Sequence, residues 1–379
     1  MIYFDNAATG GRKPDEVVSA VTSALRVCAN PGRSGHKLSL SCANLVQVAR
    51  SVLSDFFNGY GFERVVFTKN CTEALNIAIL GTLQRGDHVV VSCMEHNSVL
   101  RPLEYLRKAG IITYDICPLS THPTHAGNIH PDDVAALIKP NTKMVIITTA
   151  SNVTGAIPPI QDIHESLPKD VLLLCDGAQG AGHLDLDMQR LHIDLLTVAG
   201  HKGMHGIQGS GALLFSPRVN PTPLLYGGTG SISFSLDMPD FYPDALEAGT
   251  LAYPAIISLL EGARHLTAYG KRIRARVHML TKILCSSLQK LPNYKLYSVP
   301  NPCGIVAFAH HKYPSDQIAD ILSNHYNIAL RGGLHCAPLM HEALCTLDSG
   351  LLRVSFSHFN SETEIAELIT ALTKIDEEL

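Results

Sequence analysis

The 379-residue sequence has no tryptophan and little charge, since Asp, Glu, Lys and Arg together make up 17% of its residues. Its formal net charge of −4 gives no sign of the basic surface with which proteins bind nucleic acids or anionic membranes. It also lacks an apolar run of about 18 residues, so we predict no membrane-spanning helix. Because the first residues, MIYFDNAATG, do not form a signal peptide, we expect a cytoplasmic protein.

Closely spaced CxxC pairs are absent as well, although the sequence contains ten cysteines. In a reducing compartment, scattered thiols act as small hydrophobic residues. The alternative is that one of them is a nucleophile, and composition alone does not choose between the two. The cysteines lie at positions 28, 42, 71, 93, 117, 175, 285, 303, 336 and 345.

Hydrophobic residues make up 46% of the chain, and its length suits two domains or one large α/β unit with an appendage. Up to about residue 220, short apolar runs alternate with helical patterns, which predicts a mostly parallel sheet with helices on both faces. A Gly-rich turn without a helix separates the last two runs, which is compatible with an antiparallel pair. The predicted strands are residues 65–67, 88–92, 111–116, 144–149, 171–175, 195–198 and 212–215, and the predicted helices between them include 72–83, 98–108 and 131–138.

The pattern changes near residue 220, where a loop rich in Pro, Gly and Ser precedes a long helical stretch. The later elements predict a smaller α+β domain, near which the first dozen residues pack. We therefore assign residues 13–253 to a large domain, and residues 1–12 with 254–379 to a small one. The predicted elements of the small domain are a helix at 254–289, a strand at 304–309, a helix at 314–324, strands at 328–331 and 352–356, and a final helix from residue 361.

A lysine and a carboxylate each follow a predicted strand at its carboxyl end, where open α/β sheets bind ligands. Lys202 alone is typical of a surface lysine, and the alternative is an amine that condenses with an aldehyde cofactor. Asp176 is costly to bury without a cationic partner, such as a pyridinium nitrogen or a metal. No second carboxylate lies nearby in the sequence to help bind a metal. Together the two residues indicate a pyridoxal-phosphate enzyme.

Two further residues follow predicted strands. Thr72 opens a helix, where it is either a simple N-cap or part of a phosphate site made by the free N–H groups of the first turn. His96 lies in a loop, where histidines usually have no function, but over this sheet edge it could stack on a planar ring.

These residues belong to a set of motifs that resembles the class V aminotransferase superfamily, and within it the cysteine desulfurase and selenocysteine lyase branch. The resemblance covers essentially the whole chain. It implies an α/β protein of the PLP-dependent transferase fold type I, with a mostly parallel, mixed seven-stranded sheet in a large domain and a smaller α+β C-terminal domain. The motifs are Asp5-Asn6-Ala7-Ala8-Thr9, Thr72-Glu73, Glu95-His96, Ser151-Asn152, Asp176-Gly177-Ala178-Gln179, Gly200-His201-Lys202 and Glu247-Ala248-Gly249-Thr250.

The resemblance implies that pyridoxal 5'-phosphate is bound at these motifs. Lys202 would hold it covalently and then shuttle protons, with Asp176 on the ring nitrogen. His96 would stack on the ring and help in proton transfer. Gln179 would bind the ring oxygen, and Asn152 would lie near that oxygen and the substrate carboxylate.

The phosphate and substrate ends of the site are implied by the same resemblance. Thr72 and His201 would bind the phosphate, with Thr250 of a second subunit, which implies a homodimer with a shared active site. Arg353 would bind the substrate carboxylate through its planar guanidinium, and Arg331 and His36 would also contact the substrate. Arg33 and His36 would line the entrance.

A C-terminal segment, Arg331-Gly332-Gly333-Leu334-His335-Cys336-Ala337, resembles the RxGxHCA segment of group II desulfurases. There the cysteine lies on a short, ordered loop. The implied nucleophile is Cys336, as a thiolate aided by Arg331 or His335. The implied reaction converts L-cysteine to L-alanine and leaves the sulfur on Cys336 as a persulfide. An acceptor protein of unknown identity would then take the sulfur, for example for iron–sulfur cluster assembly.

One position departs from the family pattern. Many relatives carry a hydroxyl residue three positions before the lysine as a phosphate ligand, and here that position is Ala199. A hydrogen bond to a charged group contributes roughly 1.5–3 kcal/mol. We therefore expect weaker cofactor binding without loss of function.

Other functions remain as alternatives. A selenocysteine lyase has the same scaffold, another class V aminotransferase or lyase would not use the cysteine, and a pseudoenzyme would lack the lysine or the aspartate. A metalloprotein is a further alternative, because His201 and His205 are four residues apart and His122, His125 and His130 cluster in the sequence. HExxH is absent, however, and the Pro/Gly-rich setting of the second cluster is typical of a solvated loop, so we predict no metal.

Overall fold

The computed structural model describes residues 1–27, 29–122 and 125–378. In this part of the chain nine cysteines are free and seven of them are buried, whereas Cys336 and Cys345 are exposed. Cys28, the tenth, lies outside the described residues. Within the same ranges, no helix combines the length and the apolar character needed to cross a membrane.

Strands and helices alternate along most of the chain. The strands are β1 (Ile2–Tyr3), β2 (Val65–Thr68), β3 (His88–Ser92), β4 (Thr113–Cys117), β5 (Thr142–Thr148), β6 (Leu172–Asp176), β7 (Leu195–Ala199), β8 (Gly211–Phe215), β9 (Tyr294–Leu296), β10 (Ile305–His310), β11 (Ile328–Ala329) and β12 (Leu352–Ser355). The helices are α1 (Asp15–Arg26), α2 (Lys37–Phe56), α3 (Cys71–Leu80), α4 (Asn97–Lys108), α5 (Pro131–Ala135), α6 (Ile160–Glu165), α7 (Tyr253–Leu288), α8 (Ser315–Tyr326), α9 (Pro338–Ala343) and α10 (Glu362–Glu378).

The main sheet has seven strands in the order β2-β8-β7-β6-β5-β3-β4. Strands β3 to β7 pair in parallel, and β8 pairs antiparallel with both β7 and β2. The predicted mixed, mostly parallel sheet is therefore confirmed, as is the antiparallel pair that lacks an intervening helix. The strand at His88–Ser92 has the predicted bounds, and the ends of the other six move by one or two residues.

Both faces of this sheet are covered, which explains why its strands are continuous apolar runs rather than alternating ones. In β3, Val90 packs into the hydrophobic cluster that contains α2 and α7 residues, such as Leu53 and Leu259. Val89 and Val91 pack into the opposite cluster with residues of α3 and α4. The two helical layers hold the sheet rigid and leave only its edges open.

Four helices of the described residues are absent from the prediction: the short α6 and α9, and the longer α1 and α2. Helices α1 and α2 pack against α7, whose predicted bounds of 254–289 are confirmed to within one residue. In α1 only Val17 and Ala24 are fully buried, while Val18 and Leu25 are exposed. Val17, Ala20, Val21 and Ala24 lie on one buried or half-buried face, but the exposed Val18 and Leu25 obscure this face in the sequence pattern.

Two smaller sheets lie in the C-terminal part of the chain. Strands β12, β10 and β9 form an antiparallel sheet, and β1 pairs in parallel with β11. The N-terminal segment continues along this region, because Phe4 packs edge-on against Phe356 with ring centroids 5.3 Å apart. The domain boundaries themselves, 13–253 and 1–12 with 254–379, stay a prediction.

Candidate active site

The carboxyl edge of the main sheet gathers most of the predicted site residues. Asp176 is the last residue of β6, and Lys202 follows β7 by three residues. Parallel strands end at the same edge, so loops after different strands meet there. One pocket at this edge is lined by seven of the predicted residues: Thr72, His96, Asn152, Asp176, Gln179, His201 and Lys202.

Lys202 reaches into this pocket with its amine open to it. Among the described residues, its Nζ has no hydrogen-bond or ion-pair partner, and the side chain is only partly exposed. Burial lowers the pKa of Lys202, while the nearby Asp176 carboxylate opposes the shift. A lowered pKa increases the fraction of neutral amine, the form that adds to an aldehyde. The geometry therefore fits a covalently held aldehyde cofactor.

Asp176 is 3% exposed, and only one of its two carboxylate oxygens has hydrogen-bond partners in the described part of the chain. Its Oδ1 accepts hydrogen bonds from Ala178 N at 2.8 Å and from the Cys71 thiol at 3.4 Å. Burial, and then the Asp176 charge, raises the pKa of Cys71 well above its usual value, so this thiol is a hydrogen-bond donor. Oδ2 has no such partner in the described part of the chain, which suits pairing with a pyridinium nitrogen. Cys71 has no predicted role, and its contact with Asp176 is visible only in the structure.

Thr72, Ser98 and His96 form a chain of side-chain hydrogen bonds along one wall of the pocket. Ser98 Oγ lies 2.9 Å from both Thr72 Oγ1 and His96 Nδ1. Because His96 Nδ1 also accepts from Ser98 N at 3.0 Å, the proton of the neutral ring is on Nε2. Burial lowers the pKa of His96, which favours the neutral ring. Ser98 is a residue that the sequence analysis missed.

The N-cap of α3 is Asn70 and not Thr72. Its side-chain oxygen accepts from Glu73 N at 2.9 Å, so Thr72 lies inside the first turn with its hydroxyl turned toward Ser98. The interpretation of Thr72 as an N-cap is therefore wrong. The open end of α3 still presents backbone N–H groups to the pocket, which suits a phosphate.

His201 lines the pocket, and Lys13, which does not line it, contacts the backbone of His201. His201 Nδ1 is 3.1 Å from Thr9 Oγ1, and Lys13 Nζ donates to the His201 carbonyl at 3.0 Å. Burial lowers the pKa of His201 to about 4 and that of Lys13 to about 8. His201 is thus a neutral donor, and Lys13 is the nearby cation. Lys13 was not predicted, because an N-terminal lysine carries no motif that links it to residue 201.

Arg353 is buried at 1% exposure and already has two partners. Its Nη2 donates to Asp5 Oδ1 at 2.9 Å, and its Nη1 donates to the Asn152 carbonyl at 2.8 Å. Its buried Nε has no partner among the described groups. A substrate carboxylate would therefore have to share this guanidinium with Asp5. Gln179, on the same side, donates from Nε2 to the Ala7 carbonyl at 3.1 Å.

Cys336 lies on an exposed loop at the mouth of the pocket. The groove that contains it also contains Thr72, His96 and Ser98, so the two cavities adjoin. Arg331 Nη2 donates to Cys336 Sγ at 3.7 Å, and Asn97 N at the start of α4 donates to the Cys336 carbonyl at 2.8 Å. These contacts hold the thiol beside the cavity that contains Lys202.

His335 forms its hydrogen bond with the backbone and not with the thiol. It is 2% exposed, and its Nε2 donates to the Leu351 carbonyl at 3.0 Å. Burial lowers the pKa of His335 to about 2, so the ring carries no positive charge at neutral pH. In the described part of the chain Arg331 is the cation that donates to the sulfur, whereas the hydrogen bond of His335 goes to Leu351, so a role of His335 at Cys336 stays a prediction without a supporting contact.

Six of the predicted residues do not line this pocket: Cys336, Arg331 and Arg353, described above, and Thr250, Arg33 and His36. Thr250 is exposed in a loop that lines a different cavity, beside β2. Arg33 donates to the Gly249 carbonyl at 2.8 Å, and His36 caps α2 by accepting from Ser39 N. The loop is anchored by Glu247, whose carboxylate forms a buried ion pair with Arg50. Thr250, Arg33 and His36 therefore lie away from the Lys202 pocket of the same chain.

The His201 and His205 pair does not form a metal site. His201 contacts Thr9, whereas His205 packs against His265 and His358 with ring centroids 5.8 and 5.3 Å away. The two imidazoles therefore point to different surroundings, although they are only four residues apart.

The seven-stranded sheet and the pocket at its carboxyl edge have the architecture of the PLP-dependent transferase fold type I. The chain belongs to the aminotransferase class-V family, whose model matches residues 2–368. Proteins of this family use pyridoxal phosphate, and the residues lining the pocket fit that cofactor.

Several named relatives and solved structures are similar to this chain over almost its whole length. A probable cysteine desulfurase from Pyrococcus abyssi is 30% identical, over 99% of this chain and 94% of the relative. A cysteine desulfurase from Salmonella dublin is 31% identical, over 99% and 93% of the two chains. An apo cysteine desulfurase structure from Thermococcus onnurineus has a TM-score of 0.88 at 30% identity and covers 100% of this chain and 95% of that one. An S-sulfonic acid form of a cysteine desulfurase from Escherichia coli has a TM-score of 0.87 at 26% identity, over 100% and 95%.

Proposed function

We propose that this protein is a cysteine desulfurase that converts L-cysteine to L-alanine and takes the sulfur onto Cys336 as a persulfide. The observation that carries the proposal is the position of Cys336, exposed and beside Arg331, in a groove that adjoins the Lys202 pocket. The full-length similarity to proteins named cysteine desulfurase supports it.

The cofactor in this proposal is pyridoxal 5'-phosphate. Lys202 Nζ would hold its aldehyde carbon, Asp176 would keep a proton on its ring nitrogen, and Gln179 and Asn152 would lie at its ring oxygen. Once bound, the cofactor makes the substrate Cα proton acidic by accepting electron density. The neutral His96 ring suits stacking on it, held at a fixed angle by Ser98.

The phosphate end would be bound by Thr72, His201 and the first N–H groups of α3, with Lys13 as an additional nearby charge. Ala199 is buried and offers no hydroxyl there. Because the positive charge of Lys13 would attract the phosphate over a distance, we expect the missing hydroxyl at Ala199 to weaken cofactor binding without abolishing it.

Substrate would be fixed by its carboxylate at Arg353 and Asn152. Once the amine of L-cysteine has displaced it, Lys202 Nζ takes the Cα proton. The Cys336 thiolate, aided by Arg331, forms a bond to the substrate sulfur while the Cβ–S bond breaks. The electron pair of that bond stays on the substrate carbon skeleton, which two protons convert to L-alanine. The enzyme retains one additional sulfur, with no net oxidation.

We further propose a homodimer in which Thr250 of one subunit reaches the phosphate of the other, with Arg33 and His36 beside the entrance. Exposed apolar residues in the same connection between β8 and α7 support a covered surface, since Phe234 is 93% and Leu236 106% exposed. Sedimentation should give a dimer that Phe234→Asp with Leu236→Asp dissociates. A fully active wild-type monomer would refute the shared site.

Cytoplasmic location, the two-domain division and a separate sulfur-acceptor protein complete the proposal. Iron–sulfur cluster assembly is one destination for the sulfur. A selenocysteine lyase and a class V enzyme that ignores Cys336 are the rivals, and both are outcomes of the same assay.

The test is to add L-cysteine to the purified holoenzyme and measure alanine and protein persulfide. Cys336→Ala should lose both products and keep the visible absorbance of the bound cofactor. Cys345→Ala is the matched control, because Cys345 is the other exposed cysteine among the described residues. Unchanged alanine formation in Cys336→Ala would contradict the proposal and favour an enzyme that does not use the thiol. A strong preference for L-selenocysteine would favour the lyase.

A further inference from the structure

A cluster of three histidines lies outside the active site, in the loop between β4 and α5. One ligand atom from each of His122, His125 and His130 lies within 4.8 Å of the other two. The ring centroids of His125 and His130 are 4.7 Å apart, and those of His122 and His130 are 5.0 Å apart. Three imidazoles from a nine-residue stretch therefore face one point near the surface.

The backbone of this loop fixes the spacing of the cluster. His125 N donates to the His122 carbonyl at 2.9 Å, and Asn128 N donates to the His125 carbonyl at 2.9 Å. Ser120 N donates to the Asn128 carbonyl at 2.7 Å, and the Asn128 side chain donates to the Ile157 carbonyl at 2.7 Å. The loop is thus closed on itself and tied to a neighbouring segment, which brings the histidines together before any ligand binds.

We propose that His122, His125 and His130 bind a divalent transition-metal cation of the Zn²⁺ type, with water in the fourth position. Neutral imidazole is a preferred ligand of Zn²⁺, Ni²⁺ and Cu²⁺, and three histidines are a sufficient protein donor set. With zinc–nitrogen bonds of about 2.0–2.1 Å, the nitrogens of a tetrahedral site lie roughly 3.3 Å apart. Side-chain rotations of the exposed His122 and the half-buried His125 and His130 suffice to close the remaining gap.

Asp132 supplies a second element of such a site. His130 Nδ1 accepts from Asp132 N at 3.2 Å and lies 3.7 Å from Asp132 Oδ2. Coordination through Nε2 puts the proton of His130 on Nδ1, which then donates to the carboxylate instead of accepting from the N–H. Carboxylate partners of this kind orient metal-bound histidines and increase their basicity.

The site is separate from the proposed chemistry. Strand β4 is at the edge of the sheet, and β3 and β5 lie between it and β6, which carries Asp176. Neighbouring strands are about 4.8 Å apart, so the two strands are roughly 15 Å apart. The metal would therefore act as a clip that joins the loop to the start of α5, and not as a reactant.

The experiment measures Zn²⁺ binding by competition with a chromogenic chelator. It uses tag-free holoenzyme carrying Cys336→Ser and Cys345→Ser, because exposed thiols bind Zn²⁺ themselves. We expect one Zn²⁺ per chain, at least about 100-fold weaker binding with His122→Asn and His125→Asn, and about 10-fold weaker binding with Asp132→Asn. His311→Asn with His325→Asn is the matched control, since both histidines are exposed elsewhere and should leave the affinity unchanged.

Two further readouts keep the test independent of folding. The cofactor absorbance and the metal-free thermal midpoint should be the same in all variants. Co²⁺ should give the absorption of a tetrahedral site without a thiolate charge-transfer band, and only when the cluster is intact. The proposal is overturned if no saturable Zn²⁺ site exists, or if the affinity is the same with and without His122 and His125.

Discussion

The pocket around Lys202 and the loop that carries Cys336 are built in opposite ways. In the pocket, the side chains are set by the ends of buried parallel strands, and Asp176, Gln179 and Asn152 are nearly inaccessible. On the loop, Cys336 is exposed, and His335 and Cys336 both have left-handed backbones with φ of 51° and 58°. Such a conformation costs about 1–3 kcal/mol for each residue and persists only where surrounding contacts impose it.

The difference suits two tasks. A cofactor needs a fixed, partly dehydrated environment that tunes its charge, and the sheet edge provides this. A cysteine that accepts sulfur and passes it on needs access from both the pocket and the solvent. The loop meets this need because the side chain of His335 is buried, whereas that of the next residue, Cys336, is exposed. Substitutions in each region test whether the pocket and the loop divide the function in this way.

Lys202→Ala should have the largest effect. Loss of the only amine predicted to hold the cofactor should remove the visible absorbance of the bound cofactor and lower desulfuration by about 10⁴-fold. The measurement is an absorbance spectrum together with alanine release. Lys169→Ala, which removes an exposed lysine outside the pocket, is the control. It should change neither the absorbance spectrum nor alanine release. A persisting absorbance band in Lys202→Ala would contradict the assigned role.

Glu95→Gln should reveal whether the buried carboxyl group of Glu95 is protonated in the folded protein. Burial raises the pKa of Glu95 to about 8, from an ordinary value of 4.5, so between these values the folded state binds a proton that the unfolded state does not. The wild type should therefore lose stability as pH rises from 5 to 8, at up to about 1.4 kcal/mol per pH unit, in total a few kcal/mol.

The glutamine variant cannot ionise and should not show this loss. Thermal unfolding midpoints at pH 5 and pH 8 measure the difference, with the exposed Glu165→Gln as control. Parallel pH profiles for wild type and Glu95→Gln would show that Glu95 is not protonated in the folded protein.

Arg331→Gln should affect the loop and leave the pocket unchanged. The guanidinium is the cation in contact with Cys336 Sγ, so its loss should slow alkylation of Cys336 by iodoacetamide, and desulfuration, by about 10- to 100-fold. The cofactor spectrum should not change. Arg331→Lys should recover part of the rate. Arg101→Gln, which lies in the same groove, is the control. Equal alkylation rates in wild type and Arg331→Gln would rule out this function of Arg331.

Cys71→Ala should have the smallest effect. It removes one hydrogen bond to Asp176, which contributes about 0.5–1.5 kcal/mol, so cofactor affinity should fall by about 2- to 10-fold. Cys71→Ser keeps a donor and should behave more like the wild type. Cofactor release during dialysis measures the cofactor affinity of each variant. A pH titration of the visible absorbance accompanies this measurement. A larger loss in the serine variant than in the alanine variant would argue against a donor role.

The main sheet and the cofactor side were predictable from the sequence because each depends on local patterns. Continuous apolar runs identify buried parallel strands, and a functional residue placed just after such a run must lie at the sheet edge. Asp176 and Lys202 are the clearest examples. The predicted position of each follows from one strand and its end, without knowledge of any other contact.

The contacts between distant segments were not predictable in this way. Asp5 meets Arg353 across 348 residues, and Ser98 links Thr72 to His96 through hydroxyl orientations that no spacing reveals. His335 illustrates the same limit, since its motif suggests a partner for Cys336 but its ring is buried against Leu351. Helices α1 and α2 were missed because additional exposed apolar residues, such as Leu25 and Leu38, obscure their buried faces in the sequence.

Transfer of sulfur from the substrate to Cys336 can be observed by mass mapping of the holoenzyme after L-cysteine is added without reductant and free thiols are alkylated. We expect one additional sulfur on the peptide that contains Cys336 and none on the peptide that contains Cys345. Alanine formed in stoichiometric amounts with no additional sulfur on Cys336, or with the sulfur on another cysteine, would contradict this transfer.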